Sequence, residues 1–561
     1  MTVEVAPIGW TKGPGENPQD FLFISPDTQR VLKIGEFVSF KTIVGSEGRE
    51  ILSRIIDRQP LRQFPDSFSS NPEVAPGQIA HLIGYGEGDH EIFQLTASVI
   101  GYFDEQIKAF VNPRIAPREG SSIYFVSDLI LAKRLNKKGK GEKGSAHIGS
   151  LLSRDIDQVP SVLDVAAIAS THMAIIASTG AGKSYLAGVL IEELMSPYNR
   201  AAVLIVDPHG EYDTLAEMAN IDHFQADRYR PDVKIFRPGD VKVKVGALET
   251  SDLYYLLPNL SDRMVYLLGK AYREVRKEAK EQKGEPDRWT RAELEAKLIQ
   301  LGEGEEDEEG NTKSDFASTA QALTWRLESV LKNSILFDDQ EHLKLIELCK
   351  PGQCSVLQLN EVDEREQQVM VATLLRRLLK ARTETQKNKV EKGNDLYLPY
   401  PVFVLIEEAH RFAPASADIV TTGILKTILA EGRKFGVGVG LISQRPGKLD
   451  GDVLSQCNTQ FIMRIVNPAD QARVAESVET VGRDLIRELP ALTKGQVIIA
   501  GEAVNTPMLA RVRSRYTPHG GITKDAPEEW IGYFDEIEED KRERDAALPV
   551  MPVRKKGEFF K

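Results

Sequence analysis

The chain has 561 residues, with 71 Lys and Arg against 83 Asp and Glu, a formal net charge of −12. That length exceeds one hydrophobic core, so two or three domains are expected. The acidic balance excludes a uniformly basic coat while leaving room for a local basic channel.

The N-terminal stretch MTVEVAPIGWTKGPGENPQD has no basic flank followed by an apolar run, so no secretory signal is expected. The longest apolar runs, such as VFVLI and VGVGLI, fall well short of the ~20 residues that cross a bilayer. Cys349, Cys354 and Cys457 are the only cysteines; their spacing suits neither a disulfide framework nor a zinc site, and they read as packed thiols of a reducing compartment. The expectation is a soluble cytoplasmic protein with no membrane partner.

Residues 20–135 carry short runs rich in Val, Ile, Phe and Tyr: EFVSFKTIV, EILSRIID, QIAHLIGYG, EIFQLTASVIGYF and SSIYFVSDLILA. Asn, Pro and Gly break them, in SNPEVAPG and VNPRIAPREG. That spacing predicts a small all-β barrel or sandwich. KRLNKKGKGEKGSAHIG, Lys133 to Gly149, is basic, Gly-rich and without apolar periodicity, and reads as a linker. The first domain and linker are therefore placed at 1–145.

From about residue 165 the runs HMAIIA, AAVLIVD, VKIFRP, CSVLQLN, PVFVLIEE, VGVGLIS, TQFIMRI and QVIIA are apolar without clean alternation. Such runs suit a parallel sheet covered on both faces. With helical stretches such as REQQVMVATLLRRLLKARTETQ between them, they predict a doubly wound α/β domain over 146–520. Residues 248–345 interrupt it as a charged helical insertion, with a disordered tip expected in LGEGEEDEEGNTKSD. Residues 521–561 read as one acidic helix followed by an extended tail, LPVMPVRKKGEFFK, that would fray or dock on a neighbouring subunit.

STGAGKSY follows an apolar strand and opens a helix, the context a phosphate loop requires. Ser178, Thr179, Gly180, Ala181, Gly182, Lys183, Ser184 and Tyr185 are the expected nucleotide-binding residues. Gly180 and Gly182 allow close backbone approach, Lys183 would reach the β- and γ-phosphates, and Ser184 would hold Mg²⁺. Ala177 stands where the usual pattern has its first Gly. If its φ is negative the replacement costs little; a positive φ would add roughly 1–2 kcal/mol of strain. VFVLIEEAHRF ends a strand with Glu407, at the metal-orienting position, and Glu408, the better candidate to activate the attacking water. VGVGLISQRP ends another with Gln444, placed to sense the γ-phosphate. AAVLIVDPHGEY ends a third with Asp207, His209 and Glu211. Asp207 either supports the metal shell or holds a turn.

These phrases occur together, and in this order, in one family. IGSLLSRDIDQVPSVLD, HMAIIASTGAGKS, VLIVDPHGEY, VLIEEAHRFAP, AEGRKFGVGVGLISQRP and LSQCNTQFIMRI, spanning about 148–466, resemble the HerA-type DNA translocases of the HerA/FtsK group of ring ATPases. The resemblance implies a RecA-like core with a helical insertion and an N-terminal barrel of the kind shared with rotary ATPases. It also implies a homohexamer that passes double-stranded DNA through its channel, hydrolysing ATP with Mg²⁺. By the same resemblance Arg433, in EGRKFG, is the arginine given to the next subunit's site, an effect of about 10³–10⁵ in rate. Thr171 stands where family members often carry an Arg, and Glu407 replaces the usual Asp. His172 reads as structural.

Translocases of this kind grip phosphates with Lys and Arg on channel loops. Arg445 and Lys448 in RPGKLDGDV are candidates, and RVRSRY, Arg511 to Tyr516, is a weaker one that would equally serve a subunit interface. The resemblance further implies an effector partner, a NurA-type nuclease for DNA end processing and repair, or a sirtuin-like or other effector in antiviral defence. Two alternatives use the same residues: an ATP-stabilised ring scaffold that activates an effector, and a protein or conjugative secretion motor.

Overall fold

The computed structural model describes residues 6–17, 19–27, 31–61, 92–226, 228–303, 316–478, 482–520 and 526–547. The expected strand QIAHLIGYG, residues 304–315 of the acidic insertion tip and the tail LPVMPVRKKGEFFK lie outside the described residues. The chain divides into two units, Met1–Pro518 and His519–Lys561.

The first seven strands are β1 (Gly9–Pro14), β2 (Asp20–Ser25), β3 (Phe37–Val44), β4 (Glu47–Pro60), β5 (Phe93–Asp104), β6 (Ala109–Val111) and β7 (Ser122–Phe125). Their order is β2-β1-β7-β3-β4-β5-β6, and β2 also pairs with β5. That last pairing closes six strands into a barrel, with β6 appended to β5. Of the two architectures the spacing allowed, the barrel is the one formed. Phe21, Phe23, Phe40, Ile51 and Leu95 fill its interior, supplied by alternating side chains as in β1, whose residues run buried and exposed in turn.

Two expectations change here. The second half of SSIYFVSDLILA is not strand: Asp128–Leu135 is a helix, which buries Leu131 and Leu135 one turn apart and carries Asp128 in its first turn. The linker also ends early, because Ser145–Leu151 is a fully buried strand, β8. Its small residues permit close pairing: a Cβ at Gly149 would stand 1.8 Å from the Arg511 carbonyl oxygen.

The remaining strands are β9 (Pro160–Asp164), β10 (Met173–Ile176), β11 (Val203–Asp207), β12 (Asp232–Phe236), β13 (Val243–Lys244), β14 (Phe337–Asp338), β15 (Gln353–Gln358), β16 (Val402–Ile406), β17 (Val437–Ser443), β18 (Thr459–Ile462), β19 (Gln496–Gly501) and β20 (Met508–Val512). All but β13 and β14 join β8 in one sheet, ordered β12-β15-β11-β16-β17-β10-β18-β19-β20-β8-β9. Pairing is parallel from β12 to β18 and antiparallel from β18 to β9. Each of the eight apolar runs supplies a strand.

Both faces of this sheet are covered, which explains the unbroken apolar runs. On β10, Met173 and Ile175 pack with Leu186 and Leu190 of the helix Lys183–Leu194. Ala174 and Ile176 face the other way, toward the helices Glu364–Gln386 and Val420–Phe435. The insertion consists of the helices Thr250–Leu256, Asp262–Lys283, Arg291–Glu303 and Ala317–Leu327. The parallel pair β13–β14 joins its two ends. The architecture is a RecA-like α/β core with a helical insertion, preceded by a small β-barrel.

One partly buried and one buried ion pair join barrel and core. Arg54 on β4 donates to Asp484 at 2.7 Å and to the Pro507 carbonyl at 2.9 Å. Arg154 forks onto Glu36 at 2.7 and 2.8 Å, and Glu36 is fully buried. The second unit contains the helix Ala526–Ala547, acidic in its first turn, with Trp530, Tyr533 and Phe534 exposed. Among the described residues no helix is long and apolar enough to cross a membrane.

Candidate nucleotide site

The phosphate loop is strung between two strand ends. Ala177 N–H donates to the Ser443 carbonyl at 3.2 Å, and Ser178 N–H to that of Arg464 at 2.9 Å. Gly180 (φ 77°) and Gly182 (φ 105°) are left-handed, a conformation that excludes most other residues. Gly182 caps the helix Lys183–Leu194, so the helix N-terminal amides open onto the loop and Lys183 begins the helix beside it. Ala177 is fully buried and is not among the residues with positive φ. The missing glycine therefore carries no left-handed strain.

Four carboxylates come from two neighbouring strand ends. At the end of β11, Asp207 accepts the backbone N–H groups of His209 (3.1 Å), Gly210 (2.8 Å) and Tyr212 (3.3 Å). Its carboxylate thus folds the turn, with Gly210 left-handed at φ 76°. Of the two roles open to Asp207, this one is formed directly. The turn presents Glu211 and Tyr212 side by side. Ser184 Oγ donates to Glu211 Oε2 at 2.6 Å, and the buried Tyr212 hydroxyl donates to Glu407 Oε1.

Glu407 and Glu408 follow β16, and both are buried. Burial pushes the Glu407 carboxyl up to about 8, with Glu211, Glu408 and Asp207 adding to the rise and the Tyr212 bond opposing it. Burial likewise raises Asp207. Among the described residues, none of the four carboxylates makes an ion pair with Lys or Arg. Glu408 stands at φ 49° with Oε2 3.2 Å from His410 Nδ1. Burial lowers the His410 imidazole, Glu408 opposes that shift, and Arg445, Arg411 and Lys448 reinforce it. Among the described residues no three acids by themselves form a metal-holding group; the Ser184 hydroxyl and the Glu407 carboxyl are oxygen ligands of the kind a hard divalent cation such as Mg²⁺ takes.

Gln444, just beyond β17, accepts from Thr179 Oγ1 at 2.9 Å, which ties a third strand end to the phosphate loop. Lys183, Ser184, Glu407, Glu408 and Gln444 are thus gathered on one edge of the sheet. Arg433 is not among them. It lies exposed in the last turn of the helix Val420–Phe435, at the start of β17, about 20 Å along the strand from Gln444 at ~3.3 Å per residue. Tyr185 turns toward the C-terminal strands, where its hydroxyl accepts Arg515 N–H at 2.8 Å. His172 is structural: left-handed at φ 60°, it accepts Val439 N–H at 3.1 Å.

The two basic segments differ. Arg445 and Lys448 are exposed beside the site edge. In RVRSRY, however, Arg513 and Arg515 are buried against the phosphate-loop helix, which corrects the interface reading for those two residues. Arg513 pairs with Glu192 at 2.9 Å and Glu193 at 2.8 Å. Sequence reasoning gave no role to Glu211, Tyr212 or His410. Their one signal was position, directly after two apolar strands that end in acids.

A family model described as the central domain of helicase HerA matches residues 146–378. The DNA double-strand break repair helicase HerA of Pyrococcus furiosus is 31% identical over 548 residues, covering 90% of this chain and 92% of that one. A probable helicase of Methanocaldococcus jannaschii is 30% identical, covering 93% and 92%. Among solved structures, VirB4 of Thermoanaerobacter pseudethanolicus has a TM-score of 0.47 at 14% identity, covering 67% of this chain and 97% of that one. With a phosphate loop beside strand ends that carry Glu407, Glu408 and Gln444, and with helicase relatives of 30–31% identity over nine-tenths of the chain, the chain is an ATPase and belongs to the HerA helicase family.

Proposed function

We propose that this chain is an ATP-driven DNA translocase that works as a homohexameric ring, passing duplex DNA through a central channel for a partner nuclease or effector. The observation that carries the reading is a division within one chain. The hydrolytic groups gather on one sheet edge, while Arg433, the family's transition-state arginine, is exposed at the opposite end of β17. A single copy supplies both halves of a site but does not bring them together, so the complete site forms between copies. The DNA substrate is supported by the relatives named as DNA double-strand break repair helicases. That name supports a role in DNA repair; the partner, a NurA-type nuclease or a defence effector, is part of the proposal.

In this mechanism Lys183 and the amides around Gly180–Lys183 bind and neutralise the β- and γ-phosphates of ATP. Ser184 and Glu407 would hold Mg²⁺, which supplies positive charge at the phosphates when bound. Glu211 and Tyr212 orient those two residues, and Asp207 acts through the turn it folds. Glu408 orients water and accepts its proton. Gln444 reports the state of the loop through Thr179.

The test is hydrolysis in rings of mixed subunits, with and without duplex DNA. Arg433→Ala and Lys183→Ala rings should each be inactive. Mixed rings, verified to have exchanged subunits, should regain activity where an intact Lys183 meets a neighbour's Arg433. A monomer in the presence of ATP and DNA, or turnover indifferent to duplex DNA, rejects the reading.

A further inference from the structure

Two bridges leave the end of β17. One is the Gln444–Thr179 bond to the phosphate loop. The other runs to the base. Ser443 Oγ lies 3.3 Å from His410 Nδ1, and that same nitrogen lies 3.2 Å from Glu408 Oε2. Ser443 Oγ also accepts Arg445 N–H at 3.1 Å, where the chain turns into the 3₁₀ segment Pro446–Lys448. Side chains of Arg445 and Lys448 are exposed on that turn. A continuous path therefore runs from an exposed basic loop to the carboxylate.

The path has a branch point that cannot serve both sides at once. Nδ1 offers either one N–H or one lone pair, so it aligns fully with Glu408 or with Ser443. Glu408 Oε2 is buried and makes no hydrogen bond among the described residues; His410 Nδ1, at 3.2 Å, is a basic nitrogen within reach of it but not yet aligned for one. The Glu408 backbone is itself in a left-handed conformation that a non-glycine residue holds only under constraint from its surroundings. The base is thus approached from one side, by a residue whose other neighbour belongs to the loop.

We propose that His410 is a positioning residue that couples the Arg445–Lys448 loop to Glu408. Phosphates of a bound polyanion would draw Arg445 and Lys448 outward, and the Arg445 N–H would move relative to Ser443 Oγ. The hydroxyl would then change its partner, and His410 would shift between Ser443 and Glu408. Binding at the loop would in this way set whether the carboxylate is aligned for catalysis. The inference rests on the translocase reading for the identity of the polyanion and on Glu408 as the base.

The experiment uses the full chain with His410→Ala, His410→Asn and Ser443→Ala. It measures kcat and KM for ATP with and without a blunt duplex DNA, and duplex affinity by fluorescence anisotropy. The expected result for His410→Ala is a fall of about tenfold or more in DNA-stimulated kcat, with KM and duplex affinity within about threefold of the parent. His410→Asn, which restores a nitrogen donor near the Nδ1 position, should recover part of the loss. Ser443→Ala, the smaller change and the check against misfolding, should lower the ratio of stimulated to unstimulated turnover.

Unchanged kcat and an unchanged stimulation ratio in both His410→Ala and Ser443→Ala overturn the coupling. A parallel loss of ATP affinity, with no recovery in His410→Asn, makes His410 a packing residue and also overturns it. If the parent is not stimulated by duplex DNA, the translocase reading fails separately. The positioning role is then decided by kcat alone: a fall in His410→Ala at constant KM sustains it, and no fall rejects it.

Discussion

The two ends of the helix Lys183–Leu194 face buried or half-buried acids of opposite kinds. At the C-terminal end, Glu192 and Glu193 are buried but matched: Arg513 forks across both, and Glu192 also accepts Tyr516 N–H, Thr517 N–H and the Thr517 hydroxyl. At the N-terminal end, Asp207, Glu211, Glu407 and Glu408 converge with no Lys or Arg ion pair among the described residues. Matched charge holds a fold in place, because removing one partner strands the other. Burial, with the neighbouring acids adding to it, raises the proton affinity of Asp207 and Glu407, the kind of perturbation that marks a candidate site. The same residue types are matched at one end of a helix and left without Lys or Arg at the other, and on the proposed function that difference separates structural acids from working ones.

The sharpest way to break this comparison is Glu408→Gln. It should lower ATP turnover by about 10²–10⁴-fold while ATP still binds, because an amide cannot take the water's proton. Steady-state hydrolysis alongside fluorescent-nucleotide binding reads both. Near-normal turnover, with Glu407→Gln dead instead, would exchange the roles of the two acids.

Arg513→Ala attacks the matched end. It leaves two buried carboxylates without their guanidinium and should cost about 3–5 kcal/mol of stability, read in a denaturant melt. A change below about 1 kcal/mol, the scale of an exposed pair, would place this cluster among surface salt bridges.

Glu407→Gln separates the two ends by pH. The folded carboxyl at about 8 lies above its ordinary value of 4.5, so the folded protein binds more protons than the unfolded chain between those limits. Wild type without nucleotide or metal must therefore lose stability as pH rises through that window. The glutamine variant, which never buries an anion at that position, should melt higher there, with the gap closing below pH 4.5. A gap independent of pH, in melts run with a chelator, would show that residue 407 is not protonated in the fold.

The smallest effect belongs to Ala177→Gly. Because Ala177 has no left-handed φ, glycine offers it nothing, and turnover should change less than about tenfold. A large gain in rate would mean that the alanine restrains the loop.

Much of this was legible in the sequence because it is local. Strand-forming runs, the glycines of the phosphate loop and the acids at a strand's end lie within a few residues of each other. β8 was not, since SAHIGSL follows a Gly- and Lys-rich stretch and owes its burial to β20, some 360 residues later in the chain. The same distance hid Arg513, whose charge reads as surface until Glu192 and Glu193 are found beneath it. Tyr212 carried no signal beyond its place after an apolar strand. A tyrosine after a turn becomes a positioning group only when β11 and β16 lie side by side.

The bonds at Arg54 and Arg154 bear on how force would pass through the molecule. Swinging the barrel against the core would rupture both Arg54–Asp484 and Arg154–Glu36. Closure of the barrel through β2–β5 pairs both sides of its six strands and leaves the three-residue β6 as an open edge among the described residues. A protein gripping the six barrel strands through side chains would ride on the ATPase sheet as a load on an arm pinned at Arg54 and Arg154.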